Sequence, residues 1–219
     1  PLAETMLAGW LLAGAGLKVP FGPLSVAPVR RGEALELTPR DGGFVLSGSV
    51  SRIPWGRDAQ QLVVLAKNGR AQHVALVPQG VAKVTPGSNL AGEPRDRLVF
   101  DHVSLSAASV ARAAKGVDAA ALYARGALVR AALMAGALDH VLDLAVRYAS
   151  ERVQFGRPIG RFQAVQQQLA VLAGHCAAAG KAVDAAYEVL EAGGDAGLKI
   201  AVAKARVGEA AGIGAGIAH

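Results

Sequence analysis

One stretch limits the possible folds of this chain more than any other. From Phe162 onward the apolar residues Val165, Leu169, Leu172, Cys176, Val183, Tyr187 and Leu190 follow a spacing of three or four positions almost without error. A helix turns once in about 3.6 residues, so this spacing lines one face with apolar side chains, and that face has to be covered. Gly193-Gly194 marks the end of the helix. Upstream, Ala119 to Ser150 reads as a second long helix, roughly 45 Å at 1.5 Å per residue. Its last turns place Leu138, Val141, Leu142, Ala145 and Tyr148 on one face. A third helix is expected from about Asp195, with an inner face mostly of Ala and Gly that allows close approach. Long amphipathic helices joined by a short elbow predict an antiparallel bundle.

The first half of the chain has a different period. Residues 2–17 look helical and are closed by Gly14, Gly16 and Pro20. Short β-prone runs then alternate with turn residues. They are Leu24–Ala27, Ala34–Thr38, Phe44–Ser49, Leu62–Ala66, His73–Val77, Ala82–Val84 and Leu98–Leu105. Asp41-Gly42 predicts a hairpin with a primed turn. After Ala107 the strands stop. The expected fold class is α+β: an N-terminal helix remnant, a small β-barrel or sandwich domain, then an antiparallel helical bundle. The expected boundaries are 1–20 for the end of an N-terminal helical domain, 21–110 for the β-domain and 111–219 for an incomplete bundle.

Composition removes several function classes. The chain is 52% hydrophobic and 18% charged, which is globular rather than disordered. Its net charge of +6 comes from scattered basic residues, so nucleic acid is not an expected partner. Cys176 is the single cysteine, which excludes an internal disulfide and suits a reducing compartment. The five histidines show no ligand spacing, and no metal site is expected. The apolar run Met6–Leu17 is too short to span a bilayer. The chain starts at Pro1 and stops inside an apolar-periodic segment, so it reads as an internal part of a longer protein.

The candidate site is the elbow Arg147 to Gln163. Arg152, Arg157 and Arg161 lie close together there, with Glu151 as the only acid and with Tyr148, Phe155 and Phe162 as aromatics. Cations beside aromatics suit a phosphate-bearing planar cofactor. Phe155 is expected to anchor the loop by packing, and Arg152 also qualifies as a helix-end cation that complements the dipole.

Tyr148 to Gln163 matches Y-x-x-x-R-x-x-F-G-x-x-I-x-x-x-Q and resembles the signature of the acyl-CoA dehydrogenase family. Phe100-Asp101-His102-Val103 with Leu105, and Leu46-Ser47-Gly48-Ser49 with Ile53, resemble two β-domain segments of that family. The resemblance implies FAD as cofactor and an acyl-CoA thioester as substrate, converted to the trans-2-enoyl-CoA. It implies a homo- or hetero-oligomer, a dimer or tetramer, with electron-transfer flavoprotein as acceptor. Carried over, Arg152, Gln154, Phe162 and Gln163 would contact FAD across a subunit interface, with Arg152 on the pyrophosphate. Main-chain groups at Ser25–Ala27 and Ile53–Pro54 would meet the flavin ring.

The chain departs from the family pattern where the ring and the base would be. The usual Trp-Ile-Thr triplet reads Arg52-Ile53-Pro54, and proline has no N–H to donate. The threonine-rich T-E-P-x-x-G-S segment reads Ser25-Val26-Ala27-Pro28-Val29-Arg30-Arg31-Gly32. Gly126 stands where some members place the catalytic glutamate, and Ala127 where an arginine is common. No catalytic residue is assigned. These departures resemble the base-lacking, FAD-holding subunit of the heteromeric α2β2 members found in bacterial steroid catabolism. The Ala-, Gly- and Arg-rich composition points to a GC-rich bacterium, hence a cytoplasmic bacterial protein.

Overall fold

The computed structural model describes residues 1–219, and its chain divides into two units, Pro1–Gly126 and Ala127–His219. The first unit opens with α1 (Leu2–Gly14) and continues with eight strands. These are β1 (Leu24–Ala27), β2 (Leu35–Arg40), β3 (Gly43–Pro54), β4 (Gln61–Asn68), β5 (Ala71–Pro78), β6 (Lys83–Thr85), β7 (Arg95–Ser106) and β8 (Val110–Arg112). The hydrogen-bonded order is β6-β7-β3-β2-β4-β5-β8, with β1 parallel to β4.

Strand β4 is the axis of this unit because it is buried on both faces. Its odd residues Val63 and Leu65 pack with Leu24, Val26 and Val74 beneath Ala8, Leu11 and Leu12 of α1. Its even residues Leu62, Val64 and Ala66 join a second core with Leu37, Leu46, Val50, Ile53, Leu98, Phe100 and Val110. Val110 comes from the last strand of the pairing order and Leu98 from the strand next to its other end, so the sheet curls around this core. Each fully buried Leu or Val contributes about 1.5–3 kcal/mol relative to exposure, so these two clusters dominate the unit's stability.

The α+β class and the seven expected strands are present, with two corrections. The strands do not stop at Ala107: β8 adds Val110–Arg112 against β5. A three-residue strand is too short to show a period. The Asp41-Gly42 loop joins Arg40 to its partner Gly43, but only Gly42 has positive φ, 78°, so the turn is not doubly left-handed.

The helix α2 (Ala119–Glu151) starts in the first unit and runs into the second, which also holds α3 (Gln163–Glu191) and α4 (Gly197–Ala218). The expected seam is present on α3, where Leu172, Cys176, Ala179, Val183 and Ala186 are buried. On α2 the face passes through Leu138 and then Ala149 rather than Tyr148, which is 60% exposed. A 3.6-residue repeat carries the stripe forward one position over this length. Three helices meet at Gly214, where an added Cβ would lie 2.9 Å from Leu138 Cδ2 and 3.1 Å from Leu172 Cδ1. Cys176 lies nearby, its thiol donating to the Leu138 carbonyl at 3.5 Å. Between α3 and α4, Arg206 ties His175 Nδ1 at 2.9 Å and Glu209 at 2.6 Å.

Gly214→Val is expected to cost about 1–3 kcal/mol by overpacking. Gly208→Ala, at an exposed helical site with open space, is expected to gain up to about 1 kcal/mol. Urea denaturation followed by far-UV circular dichroism checks both. Burial pushes the Cys176 thiol up, and the nearby Asp139 charge adds to the rise. As pH rises, the unfolded chain loses the thiol proton first, so this term stabilises the fold below the ordinary thiol pKa and is lost above it. Cys176→Ala is therefore expected to flatten the fall in urea midpoint that sets in near the ordinary thiol pKa, about pH 8.5, and continues as pH rises through the raised folded value.

Candidate functional site

The residues expected to hold the cofactor fall at two places, one in each unit. The elbow is a tight hairpin rather than an open loop. The Arg152 N–H donates to the Tyr148 carbonyl at 2.8 Å and so ends α2. Two short strands follow, β9 (Val153–Gln154) and β10 (Arg157–Pro158), paired Gln154 with Arg157 and Val153 with Pro158. Phe155 and Gly156 form the two-residue turn with φ of 53° and 79°. Both angles are left-handed, the backbone twist that suits a two-residue hairpin. The Ile159 N–H donates to the Arg152 carbonyl at 2.8 Å and closes the loop. Gly160 then passes close to α2, where a Cβ would sit 3.1 Å from the Ala149 carbonyl oxygen. Gln166 Nε2 donates to the Gly160 carbonyl at 3.0 Å, beneath the start of α3 at Gln163.

The hairpin sets the side chains. Phe155 is 92% exposed at the turn, so it does not anchor the loop by packing; the left-handed turn carries it outward. It meets Phe162 edge-on, with ring centroids 6.2 Å apart. The Arg157 guanidinium stacks over the Phe162 ring at 4.3 Å. Arg152, Gln154 and Gln163 are exposed. Arg152 belongs to none of the chain's ion pairs, so its guanidinium is available to an anion. A free guanidinium on the same hairpin as a stacked cation–aromatic pair suits a molecule that carries both phosphate and a flat ring. The stacking role of Arg157 is hidden in the sequence, because Phe-Gly lacks the Asn or Asp that flags such a turn.

The second place lies where β1 and β3 end. Ser25, Ala27, Ile53 and Pro54 are all buried. The Ser25 hydroxyl donates to the Pro54 carbonyl, so these positions satisfy one another. Arg52 and Trp55, on either side of Ile53-Pro54, have φ of 58° and 54°, a conformation uncommon outside glycine. Gly126 on α2 faces open space and carries no acid. The structure thus brings Ser25 to Pro54, and Arg157 with Phe155 to Phe162.

A curled sheet under a helix, followed by long helices joined through a cationic, aromatic hairpin, defines the class of protein. Residues 119–218 match the acyl-CoA dehydrogenase C-terminal domain family. The chain is 30% identical over 162 residues to acryloyl-CoA reductase (NADH) of Anaerotignum propionicum, covering 68% of this chain and 41% of that protein. It is 33% identical over 146 residues to mitochondrial isovaleryl-CoA dehydrogenase of Oryza sativa subsp. japonica, covering 59% and 35%. The fold resembles the ChsE4-ChsE5 complex from Mycobacterium tuberculosis, with a TM-score of 0.76 at 27% identity over 89% of this chain and 54% of that one. The chain belongs to the acyl-CoA dehydrogenase family, and it spans well under half the length of these two curated relatives.

Gly156→Val is expected to cost about 1–3 kcal/mol, because a β-branched residue is forced to positive φ. Phe155→Asn is expected to leave the hairpin intact, since asparagine tolerates that region. Amide exchange at Ile159 by NMR separates the two: fast in the first variant, slow in the second.

Proposed function

We propose that this chain takes part in FAD-dependent α,β-dehydrogenation of an acyl-CoA thioester to the trans-2-enoyl-CoA. Its own contribution is to hold the cofactor's phosphates at the elbow. The supporting observation is the exposed, unpaired Arg152 at the base of the closed hairpin that carries the Arg157–Phe162 stack. Arg152 would pair with the pyrophosphate, and Gln154 and Gln163 offer exposed amides to the same group. Phe162, backed by Arg157, supplies the flat surface. FAD, when bound, accepts the hydride that leaves the β-carbon of the thioester. The donor set at the elbow fits that cofactor. Ser25, Ala27, Ile53 and Pro54 would meet the flavin ring by shape, because the Ser25 hydroxyl is already used and Pro54 has no N–H.

In this reading residues 1–20 are the end of an N-terminal helical domain, 21–110 the β-domain and 111–219 part of the C-terminal bundle. The protein works as an oligomer in a bacterial cytoplasm and passes electrons to an electron-transfer flavoprotein. No helix is long and apolar enough to cross a membrane.

A second reading is favoured by the open, acid-free Gly126 and the closed Ser25–Pro54 contact: a base-lacking partner subunit that holds FAD for another chain. The likeness to the ChsE4-ChsE5 complex supports it. Arg152→Ala is expected to weaken FAD binding roughly tenfold or more, since one charge-assisted phosphate contact contributes about 1.5–3 kcal/mol. Flavin fluorescence titration measures it, and unchanged affinity would leave Arg152 as a helix-end cation only. Anaerobic bleaching of the flavin by acyl-CoA separates the readings. Bleaching by this chain alone supports the catalyst, whereas bleaching only with a second subunit supports the partner.

A further inference from the structure

Asp96, the second residue of β7, is fully buried, and both of its carboxylate oxygens accept hydrogen bonds. Oδ2 accepts the backbone N–H of Arg57 at 2.8 Å. Oδ1 accepts Arg57 Nη1 at 2.9 Å and the backbone N–H of Gly87 at 3.1 Å. A buried carboxylate persists only when it is paired and hydrogen-bonded in this way. Its partners lie outside the strands, in the turn after β3 and in the segment before β7.

That turn is held tightly. Ile53 is the register partner of Asp96, and Pro54 that of Arg95, just after a register shift between Val50 and Ile53. The Trp55 N–H donates to the Pro94 carbonyl at 3.3 Å. The Trp55 carbonyl accepts the N–H groups of Asp58 and Ala59 at 3.1 and 2.9 Å. Gly56 runs directly against the carboxylate, where an added Cβ would lie 3.4 Å from both Cβ and Oδ2 of Asp96. Gln79 Nε2 donates to the Arg57 carbonyl at 2.8 Å. Within this corner Arg52 and Trp55 are left-handed. Strained non-glycine residues survive only where the surroundings over-determine them, and such strain clusters at ligand sites. The two strained residues bracket Ile53-Pro54, and the Asp96 bonds seal the far end.

We infer that Asp96 is a positioning residue. Its buried carboxylate fixes the Arg52–Arg57 corner and thereby the Ile53-Pro54 edge that meets the flavin ring in the functional reading above, on which this inference rests. A carboxylate that served stability alone would hold the turn without affecting how flavin is received.

The test uses the full chain with Trp10→Phe, which leaves Trp55 as the sole tryptophan. Acrylamide quenching of Trp55 reports the corner without any flavin. FAD titration and the position of the bound flavin's absorption band report the edge. Asp96→Asn is expected to raise quenching about twofold, weaken FAD binding about tenfold and shift the band, as loss of a charge-assisted contact requires. Arg57→Lys, which keeps the charge and the backbone bond, is expected to lose about threefold. It also carries the test if Asp96→Asn does not fold. Unchanged FAD affinity and band in a folded variant overturn the inference, as does weaker FAD binding with unchanged Trp55 quenching. Wild-type protein that takes up no FAD, with or without a second subunit, sinks the functional reading instead. The Trp55 arm then decides the corner, and unchanged quenching overturns it.

Discussion

The reversal between α2 and α3 depends on one closure, the bond from the Ile159 N–H to the Arg152 carbonyl. Two long helices have to turn back on each other within the eleven residues 152–162. The chain does this with a two-residue left-handed turn and a glycine, Gly160, that slides past Ala149. The Arg152 N–H, bonded to the Tyr148 carbonyl, ends α2, and the left-handed turn carries Phe155 outward. It also lays Arg157 over Phe162. An open loop would leave the same residues without a fixed arrangement, and their ordering entropy would weigh against binding.

The first unit depends on an analogous constraint. Strand β4 is buried on both faces, so α1 must cover one side and the curled sheet the other. The strand ends that carry Ser25 and Ile53-Pro54 are therefore set by the core and are not free to adjust. The Ser25 hydroxyl satisfies the Pro54 backbone carbonyl there, and the strained Arg52 and Trp55 mark the place where the backbone departs from ordinary geometry.

Much of this is legible in the sequence because it rests on period. The seam from Leu172 to Ala186 follows the helical period, and the unbroken apolar run Leu62–Ala66 of β4 follows from burial on both faces. Features below one full period are hidden. Strand β8 has three residues, and the elbow strands have two each. Tyr148 is assigned to the seam by spacing but faces out, because the stripe drifts toward Ala149. Arg157 is visible only as a charge until the turn places it on Phe162. Asp96 gives no signal, since its partners lie at Arg57 and Gly87 and no local pattern links them. The acyl-CoA dehydrogenase signature is visible because its residues are close in sequence, whereas the Ser25–Pro54 contact joins positions far apart.

The elbow's role stands or falls on whether the hairpin at residues 152–163 receives the phosphates of FAD. Hydrogen–deuterium exchange of the assembled protein with and without FAD tests it most directly. Phosphates seated on the hairpin slow exchange through residues 152–163 when FAD is added, most strongly around Arg152 and Gln154. Equal exchange rates across that segment, with FAD demonstrably bound, would contradict it.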